Sequence, residues 1–244
     1  MKDLFSSGSD RYAKFRPTYP DSLYEFISTQ AAHHNCAWDC ATGNGQVARH
    51  LSRHFGEVQA TDISAAQLSE AYPHPNIYYS AQPAEQTTFP DQHFDLVTIG
   101  QAIHWFDFDR FYLEANRTLK TNGIIAVIGY GLHSVSPDID PIIRQFYYEV
   151  IGPYWDPERK YLDEKYQTIP FPFKEIATPA FECVFTWSRA HFLGYLRTWS
   201  AVKKFIDQNG SDPVNDLDRA IEPLWGTEQK ITFPIFLRLG RKMV

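Results

Sequence analysis

The residues best placed to do chemistry cluster early in the chain: Trp38-Asp39-Cys40-Ala41-Thr42-Gly43-Asn44-Gly45-Gln46, then Asp62 at the end of the next apolar run. Gly43 and Gly45 let the backbone turn tightly and approach a ligand, and a helix opening near Gln46 aims its unpaired N–H groups at the same spot. A carboxylate at the next strand's tip can accept hydrogen bonds from both hydroxyls of a ribose. This is the pattern of a nucleoside-cofactor site, and the glycines alone leave its identity open. Gly43-Asn44-Gly45-Gln46-Val47-Ala48 satisfies G-x-G-x-x-A, and with Asp62 it fits the dinucleotide of an NAD-dependent oxidoreductase. Asp39, ahead of the glycines, weighs the other way: a fixed anion repels a pyrophosphate and attracts the ammonium group of a methionine-like moiety. A cofactor-binding module without catalysis is the third reading.

Strands and helices must alternate to hold these residues. Pro20-Asp21 opens a helix whose Leu23, Tyr24, Phe26 and Ile27 recur at helical spacing. Strands are expected at 36–40, 58–62, 77–79, 94–99 and 123–130, the last after a Thr121-Asn122-Gly123 turn, with helices at 46–55, 65–71 and 109–119. Such alternation gives right-handed crossovers and an α/β, doubly wound, mostly parallel sheet, which binds ligands beyond the carboxyl ends of its strands. The glycine turn, Asp62 and the tip after Ile99 should therefore converge. Beyond Tyr130 the regularity gives way to a helix at 139–150 and a proline- and aromatic-rich stretch, 152–173, expected to form a lid. Strands at 181–187 and 231–238, with helical segments at 189–199 and 216–221, complete a seven-stranded sheet whose last strand is antiparallel. One domain, 1–244, is expected, comprising a helical cover (1–34), a cofactor-binding core (35–131), a lid and acceptor elaboration with a returning strand (132–225), and a final strand (226–244).

Composition narrows the partners. Net charge is −6 and no basic run exceeds two residues, so a nucleic-acid backbone finds little attraction. Cys36, Cys40 and Cys183 form no C-x-x-C pair and sit in apolar runs, which points to a reducing, cytoplasmic setting and no metal site. The first residues lack the apolar core of a signal peptide, and the longest apolar stretch, Ile124 to Ile128, is too short to span a bilayer. The aromatic content of 16% is high and calls for aromatic-lined cavities.

Five ordered blocks resemble the class I S-adenosylmethionine-dependent methyltransferases, in the type 11 branch that includes trans-aconitate methyltransferase-like proteins. They are Tyr12 to Pro20, Asp39 to Gln46, Ala60 to Ser64, Ala84-Glu85 before Phe89-Pro90-Asp91, and Phe94 to Phe106. The resemblance implies a Rossmann-like methyltransferase fold with S-adenosylmethionine as cofactor. It puts Asp39, Gly43 and Gly45 at the amino acid end, Asp62 on the ribose diol, Ile63 on one face of adenine, and Ala84-Glu85 at the adenine edge. Gln101 and Ala102 would lie beneath the methionine part, with Tyr12, Arg16 and Tyr19 covering it. Arg16 suits the cofactor's carboxylate because its fork binds bidentately. Two positions depart from the family pattern: Ala41 replaces its usual first glycine, and Pro83 replaces a common acidic residue near the adenine amine.

His104-Trp105-Phe106 follows the fourth strand, where the transferable methyl group should meet its acceptor. His104 is the candidate general base for a hydroxyl or amine, or else a residue that only hydrogen-bonds the backbone. A carboxylate acceptor is already ionised at neutral pH and needs no base. Trp105 can wall the sulfonium by cation–π attraction, and Tyr130, His133 and Trp155 are the other acceptor-pocket residues expected. Gly100-Gln101-Ala102 stands where amino methyltransferases of nucleic acid bases carry Asn/Asp-Pro-Pro-Tyr/Phe. The expectation is therefore a cytoplasmic enzyme, with a monomer favoured, that methylates a small organic molecule by in-line displacement.

Overall fold

Strand β1 (Cys36–Cys40) is buried at every position and β4 (Phe94–Gly100) at all but its last, so both must lie mid-sheet with helices on either face. The computed structural model, which describes Phe15 and residues 17–243, has this arrangement. Strands β2 (Glu57–Asp62), β3 (Ile77–Ala81) and β5 (Leu119–Tyr130) join β1 and β4 in parallel, and β8 (Glu228–Arg241) pairs antiparallel with β5. The order along the sheet is β3-β2-β1-β4-β5-β8-β6, with β6 (Lys174–Ile176) beside Leu239 to Arg241 and β7 (Phe181–Ser188) beside Glu228 to Ile235. The strand order reverses between β1 and β4, which makes their carboxyl tips the place where a ligand fits.

One face of the sheet, through Leu96, Ile124, Ala126 and Ile128, packs against Leu23 and Ile27 of α1 (Asp21–Gln30) and against a helical group from the second half of the chain. That group comprises α7 (Arg189–Leu196), α8 (Ser200–Asn209) and α9 (Val214–Trp225). The other face, through Trp38, Val97, Ile99, Ile125 and Val127, packs against Phe111 and Ala115 of α4 (Phe108–Thr118) and against Leu162 and Tyr166 of the 132–173 insertion. Helices α2 (Gln46–Leu51) and α3 (Ala65–Ser69) follow β1 and β2. The insertion between β5 and β6 holds α5 (Asp140–Gln145), a π turn (Phe146–Val150), a short 3-10 turn (Gly152–Tyr154) and α6 (Arg159–Asp163).

The doubly wound fold and all seven expected strands are present; four local features differ. The Thr121-Asn122-Gly123 segment is a kink inside β5 rather than a turn before it: Asn122 takes φ 64° and the register with β4 shifts between Phe94 and Leu96. The helix expected over 139–150 widens after Gln145, where Ile151 N–H donates to Phe146 C=O five residues back. That wider turn sends both Phe146 and Tyr147 into the core. Helix α8 was not expected; Trp199, with ψ 134°, ends the preceding helical run, and Gly210 at φ 69° closes α8. The short strand β6 was also missed, since exposed Lys174 and Glu175 with half-buried Ile176 carry too little alternation to register. Tyr12 and Arg16 lie outside the described residues, and no described helix is long and apolar enough to cross a membrane.

Candidate functional site

The turn after β1 is built from left-handed backbone. Ala41, Gly43 and Gly45 take φ of 55°, 58° and 83°, and Gln46 then starts α2. Gly45 is demanded twice over: besides its φ, a Cβ there would lie 3.0 Å from Cζ of Tyr79 and closer still to its hydroxyl. Gly43 has room for a Cβ, its nearest neighbour being Gln67 Oε1 at 3.7 Å, so conformation alone asks for glycine. Ala41 holds a left-handed conformation without that freedom, a local strain of about 1–2 kcal/mol at the site itself.

Asp39 ties the turn together. Its Oδ2 accepts from Thr42 Oγ1 at 2.5 Å and from Ala48 N–H at 3.0 Å, and its Oδ1 accepts from Thr98 Oγ1 at 2.8 Å. Thr98 stands opposite because β1 and β4 pair Asp39 with Thr98 in register. Burial pushes the Asp39 carboxyl up to about 6, against the pull of the Thr42, Thr98 and Ala48 hydrogen bonds, and nearby Asp62 adds to the rise. A buried carboxylate raised this far gains most from a cationic partner.

Asp62 sits at the tip of β2, buried, with Oδ2 accepting from Gly43 N–H and Oδ1 from Ser64 N–H, both at 2.9 Å. The two bonds hold its carboxylate at the mouth of the glycine turn. Gln82 N–H donates to Asp62 C=O at 3.1 Å, which brings Ala84 and Glu85 to the same rim as Ile63. Ala84 is buried there, while Glu85 accepts from Asp107 N–H at 3.2 Å at the start of α4.

Across the cleft, Gln101 follows β4 at φ 56° and clamps Tyr130: its Oε1 accepts from Tyr130 N–H at 2.9 Å and its Nε2 donates to Tyr130 C=O at 3.4 Å. Ala102 is buried behind it. Tyr19 and Tyr130 face each other at 6.3 Å, and Gln46 donates to Pro17 C=O at 3.3 Å, so the N-terminal segment lies over the cleft. One continuous cleft is lined by Tyr19, Asp39, Gly43, Gln101 and Tyr130, together with Thr42 and Val47. Thr98 and Tyr79 were not anticipated, because their roles come from strand register and packing rather than from spacing along the chain.

The expected acceptor residues divide between the two faces of the sheet. Trp105 packs in the α4 layer, beside His104. His104 is buried, stacked on Tyr166 at 5.8 Å and joined to its hydroxyl through Nδ1 at 2.9 Å. Burial, and secondarily Arg159, pushes His104 down to about 3, so it is neutral near pH 7 and a weak base; this weighs against the general-base alternative and toward the hydrogen-bonding one, with Tyr166 rather than the backbone as partner. Tyr130, His133 and Trp155 lie on the opposite face. His133 is surrounded by Phe192, Phe233, Tyr195 and Trp199 at 5.0–6.1 Å, and neither of its ring nitrogens has a hydrogen-bond partner. Trp155 joins this cluster through Trp199 at 5.7 Å, and its buried Nε1 also lacks a partner.

The left-handed cradle, the deep carboxylate Asp39 and the rim carboxylate Asp62 fit an amino acid joined to a nucleoside, and known proteins agree. Residues 38–127 match the family model described as a methyltransferase domain. A protein of Dictyostelium discoideum that carries the name methyltransferase is 31% identical over 250 residues, covering 98% of this chain and 95% of its own. A type II methyltransferase structure from Anaeromyxobacter dehalogenans superposes with a TM-score of 0.88 at 37% identity, covering 94% of this chain and 99% of that one. A methyltransferase from Bacillus halodurans, at 21% identity and a TM-score of 0.52, shares the fold. The chain belongs to the class I S-adenosylmethionine-dependent methyltransferases of the type 11 family: it is an enzyme whose methyl donor is S-adenosylmethionine.

Proposed function

We propose that this enzyme methylates a small organic acceptor that is already nucleophilic at neutral pH, a carboxylate in the first instance, as in the trans-aconitate branch that the sequence resembles. The observation that carries this reading is His133, a buried imidazole whose two nitrogens lack partners, set among aromatic rings. Buried polar groups are rarely left unpaired, and such an exception calls for a ligand or water. Phe233 touches both His133, at 5.3 Å, and the cleft residue Tyr130, at 5.6 Å, so the imidazole lies one ring away from the cleft wall. Burial pushes His133 down to about 3; as a neutral ring it donates one N–H to a carboxylate oxygen without giving up a proton.

In this reading Asp39 faces the cofactor's ammonium group, Gly43 and Gly45 give its amino acid end bare backbone, and Asp62 grips the ribose diol. Ile63, Ala84 and Glu85 border adenine, and Gln101 and Ala102 floor the methionine part. Tyr19 closes over it, and the 132–225 elaboration surrounds the acceptor with Tyr130, His133 and Trp155. When bound, S-adenosylmethionine supplies an activated methyl group on a sulfonium, open to in-line displacement. The residues of the chain orient the acceptor and exclude water; alignment of this kind is worth several kcal/mol of barrier. The buried, neutral His104 supports a reaction without a general base, and serves with Tyr166 to hold the loop after β4.

The test is S-adenosylhomocysteine formation with a panel of small carboxylic acids, phenols and amines. Carboxylic acids should turn over, and His133→Phe should raise their KM with little change in kcat. Turnover confined to phenols or amines, or a His133→Phe variant with unchanged KM, would reject the proposal.

A further inference from the structure

At the opposite end of the sheet from the cofactor cleft, three strands bring a thiol, an imidazole and a carboxylate together. Cys36 is the first residue of β1, and Glu57, the first residue of β2, is its register partner. His93 immediately precedes β4 on the other side of β1. Cys36 Sγ lies 3.6 Å from His93 Nε2 and 3.8 Å from Glu57 Oε1, and the three ligand atoms all fall within 4.8 Å of one another. Cys36 is buried; Glu57 and His93 are half-buried.

We propose that Cys36, Glu57 and His93 form a binding site for a divalent transition metal of the zinc class. The distances are those of coordination. With metal–sulfur near 2.3 Å and metal–nitrogen near 2.05 Å, a tetrahedral ion holds its sulfur and nitrogen ligands about 3.5 Å apart, so the two separations that involve Cys36 Sγ match coordination to within a few tenths of an ångström, and rotation of the half-buried His93 and Glu57 side chains closes the third. The donor set also selects the ion. Thiolate with imidazole suits zinc or cobalt, whereas calcium and magnesium prefer all-oxygen sites. Three protein ligands leave the fourth position to water.

The surroundings already hold these ligands in place. Gln59 Nε2 donates to Glu57 Oε1 at 2.6 Å, and His93 N–H donates to Thr118 C=O at 2.7 Å. Asp95 Oδ2 accepts from the N–H groups of Asn35 and Cys36 at 2.9 and 3.0 Å, while its Oδ1 pairs with Lys120 at 2.8 Å. Such outer contacts fix ligand orientation. Without metal, the Cys36 S–H donates to Glu57; on binding, the ion takes the place of that thiol proton, which is released to solvent while sulfur and carboxylate become ligands. About 13 Å of β1, at ~3.3 Å per residue, separates the site from the glycine turn. The ion would therefore clamp the starts of β1, β2 and β4 rather than join in methyl transfer. Sequence spacing pointed away from a metal because the ligands stand at the starts of three separate strands with no local motif between them.

Cobalt titration of chelator-treated enzyme tests the site directly. One equivalent should produce a thiolate-to-cobalt charge-transfer band in the near ultraviolet and the intense visible bands of tetrahedral coordination. One equivalent of zinc should abolish both and raise the unfolding temperature. Cys36→Ser should lose the charge-transfer band, and both Cys36→Ser and His93→Ala should bind zinc at least ~tenfold more weakly in competition with a chromophoric chelator. His93 is half-buried, so its variant keeps the test decisive if Cys36→Ser fails to fold. Absence of the band at stoichiometric cobalt, or an equal band in folded Cys36→Ser, would overturn the proposal.

Discussion

Asp39→Asn separates the two demands placed on the deepest carboxylate of the cleft. In the free protein the Asp39 carboxyl is raised from 3.8 to about 6, chiefly by burial. At ~1.4 kcal/mol per unit, holding it ionised at pH 7 costs about 3 kcal/mol. The sign follows from the raised value: its stabilising contribution is complete below the unfolded value, near pH 4, and is lost as pH rises to about 6. Asparagine preserves the geometry. Its carbonyl oxygen can accept from Thr42 and Ala48, and its amide can donate to Thr98 Oγ1. Relative to wild type, the variant should therefore gain stability as pH increases from 4 to 6, by at most about 3 kcal/mol, as read by urea unfolding. Binding should move oppositely. If Asp39 faces the donor's ammonium group, wild-type affinity for S-adenosylhomocysteine weakens about tenfold per pH unit below 6 and levels off above it. The variant should lose that pH dependence together with about 1.5–3 kcal/mol of affinity, a drop on the order of 10- to 100-fold, by calorimetric titration. A folded variant that binds with wild-type affinity and the wild-type pH profile would refute the reasoning and reduce Asp39 to a strut of the turn.

Asp62→Asn should weaken cofactor binding by about 1.5–3 kcal/mol through loss of a charge-assisted contact, with a modest loss of stability because Gly43 and Ser64 N–H groups rest on the same carboxylate. Equal affinity in titration would mean the ribose lies elsewhere. Gly45→Ala should lower the unfolding midpoint more than Gly43→Ala, since only the former meets Tyr79, and trimming Tyr79 to Leu should recover part of the difference. Ala41→Gly should stabilise by up to about 1 kcal/mol, the relief of a left-handed alanine exceeding the added freedom of the unfolded chain. His104 and His133 are both lowered from 6.5 to about 3 by burial, so each contributes stability that is full above pH 6.5 and falls by ~1.4 kcal/mol per unit as pH drops toward 3. His133→Phe should accordingly flatten the acid limb of the stability profile, and an unchanged limb would show that His133 protonates freely in the fold.

The amino-acid sequence by itself determined the doubly wound core, the glycine turn and the rim carboxylate. These rest on local rules: continuous apolar runs that only a buried parallel sheet accommodates, glycines where φ must be positive, and an acid at a strand's end. Asp62 beside Gly43, and Tyr130 beside Gln101, follow from knowing where strands end and that their tips converge. Tertiary structure decided whatever depends on register and face. The Asp39 carboxylate meets Thr98 because β1 and β4 align those two residues. His104 faces Tyr166, more than sixty positions later, and is thereby buried and neutral, although the same sequence read as a loop histidine looked available for proton transfer. His133 lost its hydrogen-bond partners only when Phe192, Tyr195, Trp199 and Phe233 closed around it from α7, the turn after it and β8. Cys36, Glu57 and His93 likewise have no relation along the chain; parallel pairing of three strands sets them side by side. Periodicity encodes which face a residue presents to its own element, whereas chemistry between elements depends on side chains whose separation in sequence carries no local signal.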